Sequence, residues 1–381
     1  MIRLILLILL FLAALLTVLP APQYHLWILS ILVTEFCWTF IIVTILVLIL
    51  GYGDQPYQHF ATVIGIIALL LYCSPIMRAY SVVARLKPGF EAAFGKGSTD
   101  LKSEPGKKPF RIFRMITGIG AKQIVPTVYT YDESNGLKLD YYPSAMPGKR
   151  GCVIAVHGGS WSSGNSTELP ELNSYLAGKG YNVAAINYRL APKFQYQCPV
   201  QDVHTAITYL RKHADSLHID TNNFVLLGRS AGGQIALLAA YTLHDPGLKG
   251  VISYYAPADM VWGYSIPSNR WIMDSRKVMC DYLGGSYDAV PNNYAASSPI
   301  LHVDRTSVPT LLIHGQNDVL VAYEHSRRLN EKLQQNDVKH YLLTLPWAIH
   351  GCDYTLNGPS GQLATYTVER FLNQVIHKCK R

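Results

Sequence analysis

Charged residues are scarce in this chain of 381 residues, at 15% against roughly 25% for an average soluble protein. The shortage lies mainly at the N-terminus, where residues 1–86 hold five charged side chains. The other 295 residues carry 30 basic and 23 acidic side chains. This distribution excludes a disordered chain and a wholly soluble globule. It predicts a membrane segment joined to one sizeable folded domain.

Cysteine is also sparse, with seven residues that are odd in number and nowhere closely paired. This pattern excludes a small disulfide-built scaffold and does not match the spacing of a metal site. It favours free thiols in a reducing compartment. Internal repeats and low-complexity tracts are absent from the sequence as well.

Three long apolar runs occupy residues 4–19, 26–50 and 61–79. A transmembrane helix needs about 20 apolar residues to cross about 30 Å of hydrocarbon. We therefore expect three transmembrane helices within residues 1–86. The first run is short and follows Arg3, so a cleaved signal peptide is the alternative interpretation for it.

A basic segment follows at residues 87–122. Between Lys96 and Lys122 it carries seven Lys or Arg side chains, opposed by Asp100 and Glu104. Basic residues collect on the cytoplasmic side of membrane spans. They predict a multi-pass protein whose large domain lies on the cytoplasmic face. Aromatic and aliphatic residues alternate with the positive charges, which suits either contact with anionic lipid headgroups or a solvated linker. We expect membrane lipids rather than nucleic acid as partners.

Residues 123–381 alternate short β-rich runs with helical stretches, which is typical of a doubly wound α/β domain. The later runs are continuously apolar, as in strands that are buried on both faces of a sheet. We predict a mostly parallel eight-stranded sheet flanked by helices. Residues 259–300 are aromatic and weakly patterned, and we expect them to form a lid over the sheet edge. The eight predicted strands are 124–131, 137–142, 152–157, 182–187, 223–228, 250–255, 309–314 and 339–345.

The strongest local motif is G-R-S-A-G-G at residues 228–233, which follows an apolar strand and opens a helix. Glycines on both sides of Ser230 permit the strained strand-to-helix turn that lifts a serine hydroxyl above a sheet. This arrangement predicts Ser230 as a nucleophile.

A serine nucleophile needs a base and an orienting carboxylate, which follow it in this chain order in such folds. Asp318 stands directly after one predicted strand, and His350 stands in a glycine-containing loop after the next. We predict Asp318 as the acid and His350 as the base.

The third motif, H-G-G-S-W at residues 157–161, follows the strand at 152–157. Small residues let backbone N–H groups approach a developing oxyanion, and one such donor is typically worth ~2.7–4 kcal/mol. The predicted oxyanion hole comprises Gly158, Gly159, Ser160 and Ala231.

These motifs, together with Y-R-L-A-P at 188–192 and S-P-I at 298–300, resemble the hormone-sensitive-lipase-like carboxylesterase branch of the α/β-hydrolase fold. The H-G-G-x-W form also resembles kynurenine formamidases and isoprenylcysteine methylesterases. The resemblance covers residue 124 to the C-terminus and implies Ser230 as nucleophile, His350 as base and Asp318 as acid. Two positions depart from the branch, because Ser160 replaces a frequent third glycine and Arg229 stands where an acidic residue is common.

Together the motifs predict a membrane-anchored serine hydrolase that cleaves lipophilic carboxylic esters through an acyl-enzyme. Neither a metal nor an organic cofactor is expected. A small-molecule or lipid ester is the expected substrate, and no oligomeric state is predicted. The alternatives are an amide or formamide hydrolase, a prenylcysteine methylesterase-like enzyme, a non-catalytic ligand receptor, and a membrane scaffold or transporter.

Overall fold

A computed structural model of the protein describes residues 1–50, 55, 57–100 and 106–377. One eight-stranded sheet, in the order β1-β2-β4-β3-β5-β6-β7-β8, forms the centre of the described part of the chain. Each predicted strand corresponds to one strand of this sheet. The strands are β1 Thr127–Asp132, β2 Leu137–Tyr142, β3 Arg150–Val156, β4 Asn182–Ile186, β5 Ile219–Arg229, β6 Leu248–Tyr254, β7 Thr310–Gly315 and β8 His340–Leu345.

The sheet is parallel from β4 to β8 and antiparallel only at the β1–β2 and β2–β4 pairings. Its central strands are buried along most of their length, because helices cover both faces. The expected mostly parallel eight-stranded sheet is therefore confirmed. Parallel strands end at the same edge of the sheet, so the loops after β3, β5, β7 and β8 come together there.

Two layers of helices pack against the sheet. One face is covered by α7 (Gln197–Lys212), α8 (Ala231–Thr242) and α12 (Glu324–Gln335). The other is covered by α6 (Pro170–Gly178) and α13 (Pro359–His377). The remaining helices are α1 Ile2–Ala14, α2 Tyr24–Glu35, α3 Cys37–Ile49, α4 Tyr57–Phe94, α5 Arg114–Thr117, α9 Met260–Ser265, α10 Ser275–Leu283 and α11 Pro291–Ala296, with 3₁₀ turns at Leu15–Thr17 and Pro299–His302.

The segment predicted as a lid, residues 259–300, joins β6 to β7 and contains α9, α10 and α11. Met273 of this insertion lies 3.5 Å, measured from Sδ, from Oγ of Ser160 in the loop after β3. The insertion therefore lies next to the carboxyl edge of the sheet. Its role as a lid stays a prediction.

The expectation of three transmembrane helices is wrong. Within the described residues, one helix, α4, is long and apolar enough to cross a membrane, and α2 with α3 would add a second only if this bent pair counts as one span. The run at 4–19 forms α1, whose 13 residues span only about 20 Å. The run at 26–50 is broken at Phe36, where α2 and α3 meet at 85°.

The N-terminal helices are packed onto the sheet domain rather than separated from it. At the end of α2, Oε2 of Glu35 accepts a hydrogen bond of 3.1 Å from the backbone N–H of Ser360 in α13. The last turns of α4 contribute Leu86 and Phe90 to the hydrophobic core shared with α13. The predicted basic segment 87–122 thus begins inside α4, while its residues 101–105, with Lys102 and Glu104, lie outside the described residues.

Candidate active site

The turn between β5 and α8 places Ser230 at the carboxyl edge of the sheet with φ 52° and ψ −120°, a strained conformation for a residue with a side chain. The flanking glycines make the turn possible. A Cβ atom on Gly228 would lie 2.1 Å from the carbonyl oxygen of Gly232, and one on Gly232 would lie 2.1 Å from that of His157. The turn has the geometry of a nucleophile elbow.

The structure brings the three residues predicted for catalysis into one hydrogen-bonded chain. Nε2 of His350 lies 2.9 Å from Oγ of Ser230. Nδ1 of His350 lies 2.7 Å from Oδ2 of Asp318. Such a chain lets the imidazole take the serine proton while the carboxylate fixes the tautomer and stabilises the positive charge that forms.

The acid of this chain is held by further donors. Oδ1 of Asp318 accepts hydrogen bonds of 2.9 Å from the backbone N–H groups of Leu320 and Val321. Its Oδ2 lies 3.2 Å from Nε2 of a second histidine, His314. Burial alone would raise the pKa of Asp318, but the charge of His350 and hydrogen bonds from both histidines hold it well below its ordinary value. Asp318 is therefore ionised throughout the physiological pH range.

His314 is fully buried, and hydrogen bonds at both ring nitrogens orient its imidazole. Its Nδ1 lies 2.7 Å from Oγ of Ser326, and its Nε2 lies 3.0 Å from the carbonyl oxygen of Val321. A carbonyl cannot donate, so Nε2 carries the proton and points it at Val321 and Asp318. Nδ1 then accepts from the serine hydroxyl.

The four residues predicted for the oxyanion hole lie around the nucleophile. A Cβ atom built on Gly158 would be 3.6 Å from Cβ of Ser230, which shows how closely this loop approaches it. Ala231 is the first residue of α8, so its N–H has no acceptor within the helix. Among the hydrogen bonds of the described residues, none is donated by the backbone N–H of Gly159 or Ser160. These free donors are suited to binding an anion.

The oxyanion loop, residues 157–161, is fixed by contacts of its aromatic side chains with neighbouring elements. The Trp161 indole N–H donates a hydrogen bond of 2.9 Å to Oε1 of Gln234 in α8. The indole ring stacks on the ring of Tyr282, with centroids 4.4 Å apart. The imidazole of His157 stacks on Tyr188 at 4.2 Å. Burial lowers the pKa of His157 to about 4, so this imidazole is neutral at pH 7.

Arg229, beside the nucleophile, is buried and paired. Its Nε lies 2.5 Å from Oδ2 of Asp353, in the loop that follows His350. The hydroxyl of Tyr255 donates to Oδ1 of the same carboxylate. Because Asp353 neutralises the guanidinium, Arg229 does not present an unpaired charge to an anionic substrate. The pair joins the nucleophile turn to the loop of the base.

An apolar cavity of about 640 Å³ opens in front of Ser230. Gly158, Gly159, Ser160 and His350 border one side of it. One face of α2 forms another part of the wall, with Trp27, Ile28, Ile31 and Leu32. Within the described residues, no group of three or more His, Cys, Asp or Glu side chains is arranged to hold a metal ion.

Comparison with known protein families identifies residues 139–333, about half of the chain, as BD-FAE. The chain belongs to the BD-FAE family. The matched residues include Ser230, Asp318 and the loop 158–160, whereas His350 lies beyond them.

Two curated relatives of this family member come from Mycobacterium tuberculosis (strain ATCC 25618 / H37Rv). Esterase LipC is 30% identical over 247 residues, which cover 60% of each chain. Probable carboxylic ester hydrolase LipM is 25% identical over 266 residues, 64% of this chain and 59% of the relative. This chain thus spans about 60% of the length of these relatives.

Among solved structures, the esterase Est2 of Thermogutta terrifontis superimposes with a TM-score of 0.55 at 22% identity. The match covers 67% of this chain and 94% of Est2. At this level of identity the similarity shows the fold, and the predicted α/β-hydrolase fold is confirmed.

Three features of the site were not predicted from the sequence. The apolar run at 309–314 places His314 only in a strand, although its position four residues before Asp318 is a usable signal. The pairing of Arg229 with Asp353 joins residues far apart in the chain, and no local pattern reveals it. The sequence of α2 predicts part of a membrane span rather than a cavity wall, because an apolar helix has the same composition against protein and against lipid.

Proposed function

We propose that this protein is a carboxylic ester hydrolase that uses Ser230 as nucleophile, His350 as general base and Asp318 as its orienting acid. The observation that carries the proposal is the continuous hydrogen-bonded chain from Ser230 through His350 to Asp318 at the edge of an apolar cavity. The names of the curated relatives support ester hydrolysis as the reaction.

The geometry supports a two-step acyl transfer. Oγ of Ser230 attacks the ester carbonyl as Nε2 of His350 takes its proton, and the backbone N–H groups of Gly159, Ser160 and Ala231 stabilise the oxyanion. His350 then protonates the departing alcohol, which leaves an acyl-serine. Water, deprotonated by the same imidazole, attacks this acyl group and releases the carboxylic acid with Ser230 restored.

The apolar wall of the cavity supports lipophilic esters as the substrate class. One face of α2 offers hydrocarbon surface to the cavity that Ser230 borders, through Trp27, Ile28, Ile31 and Leu32. Burial of such surface contributes roughly 25 cal/mol per Å². Neutralisation of Arg229 by Asp353 supports an uncharged substrate.

We further propose that the protein is attached to a membrane by α4. This helix has 38 residues and exposes Ile67 and Leu70 on its surface. Its last turns pack on the catalytic domain, which would hold the domain close to the lipid surface. The exposed side chains of Phe113 and Ile116, next to Arg111 and Arg114, support contact with headgroups. A cytoplasmic orientation stays a prediction from these basic residues.

Ester hydrolysis is tested with p-nitrophenyl esters from acetyl to palmitoyl, using detergent-purified wild type and Ser230→Ala. Loss of the nucleophile should lower kcat on the order of a million-fold. Ser216→Ala is the control, because Ser216 is an exposed serine in the turn after α7 and donates to the carbonyl of His213. Wild-type activity retained by Ser230→Ala would refute the assignment, and a wild type silent on every ester would favour the amide-hydrolase alternative.

A further inference from the structure

Two cavities of very different size meet at Ser230. The larger one, of about 640 Å³, is bordered by α2, and the smaller one, of about 60 Å³, lies beneath the insertion between β6 and β7. One water molecule needs a cavity of at least about 10–15 Å³, so the small cavity has room for only a few heavy atoms. The larger one falls within the usual range of ligand pockets. Both are bordered by Ser160, Ser230, Met273, Leu320 and Val321.

The position of the base distinguishes the two cavities. His350 borders the larger cavity and does not border the smaller one. In acyl transfer, the imidazole that accepted the serine proton returns it to the leaving alcohol, so the alcohol oxygen must lie on the side of His350. The larger cavity is therefore the alcohol side of the site. Ala231 and Met279 border the smaller cavity, which is left for the acyl group.

Helix α2 is firmly connected to the catalytic loops that border the larger cavity. The indole N–H of Trp27 donates a hydrogen bond of 3.1 Å to the carbonyl oxygen of His350. Just before the helix, the carbonyl of Pro22 accepts one of 2.9 Å from the side chain of Asn269 in the insertion. At the mouth of the cavity, Ile28 and Leu32 are each 39% exposed. This wall is thus both apolar and open to an incoming chain.

We propose that the site takes esters of a short acyl group with a long apolar alcohol, and that α2 of the N-terminal segment binds the alcohol chain. The proposal rests on the proposed ester hydrolase activity and specifies its substrate class. In each turnover the bond between the acyl carbon and the alcohol oxygen breaks. The alcohol leaves into the α2 cavity with the proton from His350, and the short acyl group stays on Ser230 until water releases it.

Two isomeric esters test the orientation directly. Decyl acetate and ethyl decanoate contain the same atoms and comparable apolar surface, but the long chain is on the alcohol side in the first and on the acyl side in the second. We expect the purified full chain to hydrolyse decyl acetate with a kcat/KM higher by roughly tenfold or more. Equal rates, or a preference for ethyl decanoate, would overturn the proposal.

The role of α2 is tested by replacing side chains of its cavity-lining face with the larger side chain of tryptophan. Ile28→Trp should lower kcat/KM for decyl acetate by roughly tenfold, while ethyl acetate, which does not reach the wall, changes by less than about twofold. Leu32→Trp provides a second variant on the same face. The matched control is Ile45→Trp in α3, since Ile45 is also 39% exposed and does not border the cavity.

The outcomes separate this proposal from the proposed function. If Ser230→Ala abolishes ester hydrolysis but both isomers are cleaved equally, the hydrolase assignment holds and the substrate assignment fails. If Ile28→Trp and Leu32→Trp leave the decyl acetate rate unchanged, α2 is not the chain-binding wall. If the wild type cleaves neither isomer nor p-nitrophenyl acetate, both proposals fail.

Discussion

The carboxylate of Asp318 receives more hydrogen bonds than orientation of His350 requires. Two backbone N–H groups, His350 and the buried His314 all contact it. A carboxylate that is buried without such donors would tend to be protonated, and a neutral acid would stabilise the imidazolium less. At the residue scale, the acid of the proposed triad therefore depends on a neighbouring histidine that does not touch the nucleophile.

Replacing His314 by Phe should test this dependence. The side chain would keep its approximate shape but lose the hydrogen bond to Asp318, and a bond to a charged group is worth ~1.5–3 kcal/mol. We expect kcat for p-nitrophenyl butyrate to fall by roughly tenfold or more with little change in KM. His213→Phe, at the end of α7, is the control. A KM effect alone would assign His314 to folding of the pocket instead.

The buried imidazole of His157 should make the stability of the fold depend on pH. Burial lowers its pKa from 6.5 to about 4, so between these values the unfolded chain binds a proton that the folded chain does not. The contribution of the neutral His157 to the free energy of unfolding is therefore complete above pH 6.5. It decreases as the pH falls towards 4, by up to about 3 kcal/mol in total. Urea denaturation at pH 4.5, 5.5 and 6.5 should show a weaker pH dependence for His157→Asn. An identical dependence in both proteins would contradict this cause.

At the scale of elements, the sheet could be predicted well and the N-terminal helices could not. Short β-rich runs predicted all eight strands, and the later ones are continuously apolar because strands buried on both faces leave that signature regardless of what covers them. The chain order of Ser230, Asp318 and His350 then placed the site at one sheet edge. Hydropathy carries no information about the partner of an apolar helix, so α2 was assigned to lipid although it packs on the loop of His350.

The turn between β5 and α8 should not tolerate a side chain at Gly232. In Gly232→Ala the added methyl would lie 2.1 Å from the carbonyl oxygen of His157, which belongs to backbone that cannot move aside cheaply. We expect destabilisation by at least about 3 kcal/mol, measured by urea denaturation. Gly178→Ala at the end of α6 is the control, since nothing lies within 4 Å of its added Cβ, and it should be neutral. Similar stabilities of the two variants would refute the close packing of the turn.

At the scale of the whole molecule, helix α4 links the proposed membrane attachment to catalysis. Its exposed apolar side chains suit lipid, whereas Leu86 and Phe90 belong to the core beside α13. Helix α2 connects the same N-terminal segment to the cavity in front of Ser230. In this arrangement, the N-terminal segment is packed into the domain that carries the proposed active site and is also the proposed anchor.

Charges introduced on the exposed face of α4 should release the protein from membranes. Ile67→Arg combined with Leu70→Arg places two arginines where lipid contact is proposed, at a cost of ~2.5–3.5 kcal/mol each near the centre of a span. The wild type should remain in the pellet after a carbonate wash, and this variant should move to the supernatant. Val125→Arg with Val128→Arg adds the same charge to exposed positions of the catalytic domain and should leave the partition unchanged. An unchanged distribution of the α4 variant would argue against the anchor.

The most direct test of the central claim is covalent labelling of the nucleophile with a fluorophosphonate, followed by mass spectrometry of the peptides. We predict one adduct, on Ser230, formed as activity on p-nitrophenyl butyrate is lost, and a large decrease in labelling in His350→Ala, where no base activates the hydroxyl. Labelling of another residue, or loss of activity without modification of Ser230, would contradict the assignment of Ser230, His350 and Asp318 as the catalytic triad.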